Sequence, residues 1–155
     1  MVATLDYTGD SGTAPNDPHS AMSKDVVLHK RLKATTIWAS DTTMAALEHI
    51  PQNDILQVFH IPAGFVIEFC VCRIITASTD AADIEVGLAG TAVGIAAMGL
   101  DGTAGDATCT IDSDDWFDPI YVSAADTIDV QYIDADVHDG EVELWVFGKQ
   151  LNIGS

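Results

Sequence analysis

A serine motif near the start of the chain carries the strongest hint of chemistry. Gly9-Asp10-Ser11-Gly12 matches the tetrapeptide that surrounds the nucleophile in trypsin-like proteases. A serine nucleophile needs a histidine base and an orienting carboxylate, and that family places both upstream of the serine. Only eight residues precede Gly9, and none is a histidine. We therefore expect no catalytic role, and an enzyme would require a pocket that gathers Asp112, Asp114, His138 and Ser11.

Two groups of aspartates could supply oxygen ligands to calcium or a catalytic carboxylate pair. They are Asp112, Asp114 and Asp115, and Asp134, Asp136 and Asp139. Neither group fits an EF-hand, because Gly140 comes one position too late and His138 stands where an oxygen donor is needed. Aspartate also stabilises turns without a metal, and we interpret both groups as turn residues. A calcium site and a carboxylate pair for glycoside hydrolysis remain the alternatives.

Histidine and cysteine show no metal-ligand spacing. The five histidines are scattered along the chain, at positions 19, 29, 49, 60 and 138. Cys70 and Cys72 lie two apart in an extended apolar run, so they would share one face of a strand, and a metal would need two further ligands. With Cys109 the count is odd, and we interpret the cysteines as reduced, buried and apolar in character. No cofactor is expected.

The charge of the chain is large and unevenly distributed. With 24 acidic and 6 basic residues the formal charge is −18, which disfavours nucleic acid and anionic membranes as partners. Residues 1–33 hold four acids and four bases, so the whole excess belongs to residues 34–155. No secretion signal precedes Lys24, and the 15-residue uncharged stretch from Val86 to Leu100 is too short and glycine-rich to span a bilayer. We expect synthesis in a cytoplasm.

The first third of the chain predicts an arm, a basic junction and little regular structure. Met1 to Ser23 has glycine, proline and polar residues without periodicity, which is typical of an extended arm. Lys24 to Lys33 concentrates four of the six basic residues, and we group it with the arm as residues 1–33. Thr35 to Trp38 predicts a short strand, and Thr42 to Ile50 predicts a short helix with Met44, Leu47 and Ile50 as its apolar stripe.

The remaining residues predict strands separated by turns. Phe65 to Ile75 alternates, so that Phe65, Ile67, Phe69, Val71 and Ile75 would form one buried face of a central strand. Residues 128–132 and 142–146 alternate too, and Asp139-Gly140 between them predicts that they pair as a final hairpin. Short strands without long helices indicate an all-β fold, an antiparallel β-sandwich or jelly roll over residues 34–155.

Residues 55–147 resemble the small phage virion proteins that decorate or cement capsids. The matching segments, in order, are Val58-Phe59-His60-Ile61-Pro62-Ala63-Gly64, Ala82-Asp83-Ile84-Glu85-Val86-Gly87, Tyr121-Val122-Ser123-Ala124-Ala125-Asp126-Thr127-Ile128-Asp129-Val130 and Gly140-Glu141-Val142-Glu143-Leu144-Trp145-Val146. The resemblance implies a β-sandwich, often a symmetric oligomer, that sits on the outer capsid surface and stabilises the shell.

From this resemblance and the charge distribution we expect a non-catalytic virion protein that binds the major capsid protein. Exposed apolar strand surface favours self-association as well, and a trimer is our expectation. The predicted attachment residues lie in the basic junction and are Lys24, Val26, Val27, Leu28, Lys30, Arg31 and Lys33. The alternative is a carbohydrate-binding or host-adhesion sandwich, for which calcium and an exposed face of Trp38, Trp116 or Trp145 would be the marks.

Overall fold

The computed structural model describes residues 23–89, 91–110 and 119–151, and it has two antiparallel sheets packed face to face. Two short helices lie between the first two strands. The elements are β1 (Ser23–Lys33), α1 (Ala34–Ser40), α2 (Thr42–Leu47), β2 (Ile55–Ile61), β3 (Phe65–Thr76), β4 (Asp83–Leu88), β5 (Thr91–Gly99), β6 (Ala107–Thr110), β7 (Ile120–Val122), β8 (Asp126–Ile133) and β9 (Glu141–Leu151). The predicted all-β sandwich is confirmed.

The strand order is that of a jelly roll. One sheet runs β1-β9-β3-β6, with β7 also paired to β3, and the other runs β2-β8-β4-β5. All pairs are antiparallel, and one set of them is nested: β4 pairs with β5, β3 with β6 and β7, β2 with β8, and β1 with β9. The pairs β3–β9 and β4–β8 complete the two sheets. The chain therefore forms one long hairpin that alternates between the two sheets, which brings its described ends together.

The segment that we predicted as a basic junction is the strand β1. It pairs with β9 over its whole length, from Ser23 opposite Leu151 to Lys33 opposite Glu141. Val26, Leu28 and Leu32 point inward and are buried in the core. Residues 23–33, which we had grouped with the arm, are therefore a strand of the folded body. Residues 1–22 lie outside the described residues.

The central strand β3 carries a β-bulge that the alternation of the sequence conceals. Its pairing with β9 shifts between Ile67 and Phe69, so that Glu68 is the additional residue. A one-residue shift turns the side chains that follow to the opposite face, here as far as a second shift between Ile74 and Thr76. Phe65 and Ile67 are buried before the bulge, and the buried residues after it are Cys70, Cys72 and Ile74. The predicted single face was wrong beyond Ile67, whereas the buried position of Cys70 and Cys72 agrees with our interpretation.

Gly148 of β9 lies beside this bulge, where no larger residue fits. A Cβ atom at this position would overlap the carbonyl oxygen of Val66 and come within 2.7 Å of Cε1 of the Phe65 ring. The two central strands of this sheet therefore approach each other closely at the point where β3 changes its face.

The connection between β1 and β2 is helical, and the predicted strand at Thr35 to Trp38 was wrong. Ala34 and Ile37 are the buried residues of α1, and their separation of three is the spacing of a helix face. The expected helix is present as α2, capped by the Asp41 carboxylate, which accepts hydrogen bonds from the backbone N–H groups of Thr43 and Met44. Leu47 is exposed rather than part of an apolar stripe. Neither helix, nor any other in the described ranges, is long and apolar enough to cross a membrane.

The predicted hairpin between β8 and β9 does not form, because the two strands belong to opposite sheets. β8 pairs with β2 and β4, while β9 pairs with β1 and β3. The residues from Asp134 to Gly140 cross from one sheet to the other, and Val137 in this loop forms an isolated bridge with Ile50. The inward residues of both strands belong to the same core between the two sheets: Ile128, Val130 and Tyr132 on β8, and Val142, Leu144 and Val146 on β9.

Candidate docking face

The outward side of the β1-β9-β3 sheet combines aromatic and charged residues in an ordered pattern. On β9, Val142, Leu144 and Val146 enter the core, as predicted from alternation, and the alternate residues point outward. The pairing register places each outward residue of β9 between one residue of β1 and one of β3. We call this surface the aromatic face, and its central residues are Val27, His29, Arg31, Phe69, Val71, Arg73, Glu143, Trp145 and Phe147.

Three contacts order the aromatic part of this face. The Phe69 and Phe147 rings stack with their centroids 4.2 Å apart. The Trp145 indole stacks against the His29 ring at 4.8 Å, and the Arg73 guanidinium lies 5.4 Å from the indole centroid on the neighbouring strand. Stacking of a cation on an indole adds about 0.5–1 kcal/mol at an exposed site. The aromatic side chains are consequently held in place before any partner arrives.

A largely buried carboxylate organises the charged part of the face. Glu143 accepts a hydrogen bond of 2.6 Å from Nη2 of Arg73, and Nε of Arg31 lies 3.7 Å from its other oxygen. Arg31 also forms an ion pair of 2.6 Å with Glu141. At the other end of the sheet, Lys149 donates to Glu68 at 2.7 Å, and this hydrogen bond and the charge of Glu68 raise the pKa of the lysine.

The face is neutral although the protein is strongly acidic. All six lysines and arginines of the sequence lie on β1, β3 or β9, and the β2-β8-β4-β5 sheet has none. Four of them point outward here, Arg31, Lys33, Arg73 and Lys149, beside four carboxylates, Asp25, Glu68, Glu141 and Glu143. The rest of the sequence then holds two bases and twenty acids. Val27, Phe69 and Tyr121 are exposed apolar residues of the same sheet.

The structure separates the predicted attachment residues into two groups. Val27, Arg31 and Lys33 lie on the outward side of β1 and belong to this face or its border. Val26 and Leu28 are buried in the core and expose almost no surface, so we do not include them in the aromatic face. Lys30 is half-buried at the edge of the sheet. For Lys24 only the backbone is described.

Sequence reasoning missed several residues of the face, among them Phe69 and Arg73. The outward direction of Glu143, Trp145 and Phe147, in contrast, follows from the alternation of β9. Nothing in the local pattern brings Arg73 to them, because the two segments are about 70 residues apart and meet only through the pairing of β3 with β9. The bulge at Glu68 also decides that Phe69 points outward.

The second group of aspartates forms turn contacts within the protein. The Asp139 carboxylate accepts hydrogen bonds from the backbone N–H of Thr79 and from the hydroxyls of Thr79 and Ser78. These bonds, the backbone one most of all, lower the pKa of Asp139. Asp136 accepts a bond from the backbone N–H of Gln52 at 2.8 Å. The structure thus supports turn roles for Asp136 and Asp139.

The other residues considered for chemistry do not come together in the described parts of the chain. Ser11, Asp112, Asp114, Asp115 and Trp116 lie outside the described residues. Over the described ranges, no three side chains of histidine, cysteine, aspartate or glutamate are arranged to hold a metal ion. The Trp38 indole donates to the backbone carbonyl of His138, and Trp145 lies on the aromatic face.

The fold defines a two-sheet antiparallel jelly roll, and solved structures share it. No protein-family model matches the chain, and no curated protein matches it. A chain of a cyanophage capsid asymmetric unit superposes with a TM-score of 0.60 and 17% identity, covering 94% of this chain and 99% of that chain. A chain of a Ralstonia phage capsid gives 0.57 and 11%, covering 93% and 94%. A chain of the acid-stable capsid of a Helicobacter pylori bacteriophage gives 0.50 and 11%, covering 83% and 93%. The resemblance to phage virion proteins is thereby confirmed for the fold.

Proposed function

We propose that this protein is a non-enzymatic component of a phage virion that decorates and stabilises the capsid by binding the shell of the major capsid protein. The observation that carries the proposal is the jelly roll shared, over nearly the full length of both chains, with chains of phage capsid structures. We place the protein on the outer capsid surface after synthesis in the host cytoplasm. Self-association as a homo-oligomer, with a trimer as the first expectation, belongs to the same proposal.

The aromatic face is the attachment surface in this proposal. A protein of charge −18 repels other acidic surfaces over most of its area, but not through a neutral face. The face also holds exposed apolar groups, whose removal from water favours association. The three long strands of this face, β1, β9 and β3, are about 4.8 Å apart and about 36 Å long, so they cover roughly 500 Å². This area is smaller than the roughly 800 Å² that each partner contributes to a standard protein interface, and it corresponds to the weaker class of interfaces.

The internal ion pairs determine which kind of contact this face makes. Arg31, Arg73 and Lys149 are already paired with glutamates of the same sheet, so a partner gains little by offering further carboxylates. Exposed ion pairs contribute only about 0–1 kcal/mol each. Attachment is therefore dominated by apolar and aromatic contacts around Val27 and Phe147 and depends weakly on salt.

Binding to particles that lack the protein tests the proposal. Full-length protein is mixed with such particles and sedimented, and the bound fraction is measured against concentration. Val27→Glu places a charge beside Phe147 on the apolar part of the face, where Val27 is 41% exposed, and is expected to weaken binding at least tenfold. Leu47→Glu makes the same kind of change at a residue of similar exposure, 46%, on α2 and serves as the matched control.

The outcomes separate the attachment surface from the function. Failure of the wild-type protein to bind any such particle contradicts the decoration role itself. If a folded Val27→Glu variant binds like the wild type, the aromatic face is not the attachment surface. If the bound fraction falls steeply between 50 and 500 mM salt, attachment is electrostatic and the apolar contact proposed here is wrong.

A further inference from the structure

A cleft lies on the opposite side of β1 from the aromatic face. It has a volume of about 800 Å³ and runs along the two edge strands β1 and β2, with the helices at one end. Much of its wall is apolar, from Leu32 on β1, Ile37 and Met44 on the helices, and residues 55, 56 and 58 on β2. A cleft of this size lies within the range of ligand-binding sites in proteins.

One acidic side chain in the wall of this cleft has no partner. Asp129 of β8 is only 4% exposed, and its Oδ1 atom is buried without a hydrogen bond. In the described part of the chain no side chain or backbone group donates to this carboxyl. Two residues earlier on the same face of β8, the buried Thr127 hydroxyl also lacks a partner. Leaving such a group unsatisfied costs about 1–3 kcal/mol, more for a charged group.

The nearby positive charge does not satisfy Asp129. Lys30 lines the same cleft from β1, but it forms no ion pair with any carboxylate of the described residues. Asp41, also in the wall, uses its carboxylate to cap α2. The neighbour of Asp129 on β2 is Gln57, which makes no hydrogen bond to it. Of the two acidic residues in the described wall of the cleft, Asp41 has partners and Asp129 has none.

We propose that this cleft binds a guanidinium or ammonium group carried on an apolar stem, with Asp129 as its acceptor. A cationic donor makes the strongest hydrogen bond to a carboxyl group, and a guanidinium can engage both carboxyl oxygens with two parallel N–H groups. The apolar wall contributed by Leu32, Ile37 and Leu56 suits the methylene stem of such a ligand. The negative charge of the protein attracts cations to the cleft.

This chemistry is shared by an arginine or lysine side chain of a partner protein and by a free small cation. The two sources differ in what else fills the cleft. An extended peptide could also use backbone groups at the free edges of β1 and β2, since each is the outermost strand of its sheet. A small cation has only Asp129 and the apolar wall.

A titration of the isolated full-length protein, followed by ¹H–¹⁵N NMR, tests the site without any capsid. The probes are n-butylguanidinium, its uncharged analogue n-butylurea, and a capped hexapeptide with one central arginine. We expect saturable shifts at the amides of Gln57, Ala89 and Asp129 with n-butylguanidinium, and at least fivefold weaker binding of n-butylurea. Asp129→Asn is expected to remove this preference for the cation while its melting temperature stays within a few degrees of the wild type.

The pattern of results decides the proposal. Equal affinity for the charged and uncharged probes, an unchanged preference in Asp129→Asn, or no saturable shift up to 100 mM probe would overturn it. Because the comparison of the two butyl probes uses the wild-type protein, the result holds even if the variant does not fold. Tighter binding of the peptide than of n-butylguanidinium supports the site and assigns it to a protein side chain. The reverse order supports the site and assigns it to a small cation.

Discussion

Replacing Leu28 by alanine is expected to destabilise the fold, whereas replacing its neighbour Val27 is not. Leu28 is 2% exposed and points from β1 into the core, while Val27 points outward and is 41% exposed. The two residues share a strand and differ only in the face that they present. The pair therefore tests whether β1 belongs to the folded body or to an arm.

The expected size of the effect follows from burial. A buried leucine replaced by alanine costs about 2–5 kcal/mol, because apolar contacts are lost and a cavity remains. Since β1 is an edge strand whose surroundings can partly relax, we take about 3 kcal/mol. For a domain of this length, each kcal/mol lowers the melting temperature by about 2–4 °C, which gives roughly 6–12 °C. The exposed Val27→Ala change should stay within about 1 kcal/mol.

Thermal unfolding followed by circular dichroism, supported by urea titration, measures both variants under identical conditions. If Leu28→Ala melts within 2 °C of the wild type, β1 is not part of the cooperative core and its assignment to the folded body is wrong. A loss in Val27→Ala as large as that in Leu28→Ala would show that the strand is held by its pairing with β9 and not by burial of one face.

Three further outcomes are expected. Gly148→Ala should lower the free energy of unfolding, measured by urea titration, by roughly 3 kcal/mol. The value lies near the upper end of typical overpacking costs, because the new Cβ overlaps Val66. A change below about 0.5 kcal/mol would show that β3 and β9 separate easily. The pKa of Asp139 is lowered from 3.8 in the folded protein, so its contribution to stability is present above pH 3.8 and is lost as the pH falls through the lowered pKa. Asp139→Asn should therefore flatten the fall in melting temperature below about pH 4. An unchanged slope of melting temperature against pH would contradict this role. A chain that begins at Ser23 should fold cooperatively, whereas one that begins at Ala34 lacks β1 and should not; a cooperative melt of the shorter chain would refute the assignment of β1 to the core.

Our grouping of residues 24–33 with an arm rested on composition and overlooked the pattern of a strand. Lys24 to Lys33 does concentrate the positive charge of the chain, and part of it lies on the candidate docking face. The alternation of Val26, Leu28 and Leu32 with charged residues was nevertheless the pattern of a strand with one buried face. The charged residues suggested an arm, although charges on the solvent-facing side of a strand are compatible with a fully ordered strand.

Local sequence was sufficient for features that depend on neighbours in the chain. The all-β class, the alternation of β9 and the interpretation of Asp139 as a turn residue all rest on side-chain periodicity or on turn chemistry. The acidity of the body and the clustering of cations follow from composition alone. These properties need no knowledge of which strand pairs with which.

The tertiary structure alone decided the pairing, the bulge and both candidate sites. Pairing of β1 with β9 and of β3 with β9 joins segments far apart in the sequence, and only this pairing sets Arg31 and Arg73 beside Glu143. The bulge at Glu68 lies where β3 passes close to Gly148 of β9, and this pairing decides the face of Phe69 to Ile74. In the sequence, Asp129 is an ordinary polar residue of an alternating strand. Only the packed sandwich shows that its carboxylate is buried beside a cleft without a hydrogen-bond partner in the described residues. The physical reason is common to all three: short-range periodicity determines which residues alternate, whereas register and burial are determined by the strands that pack against them.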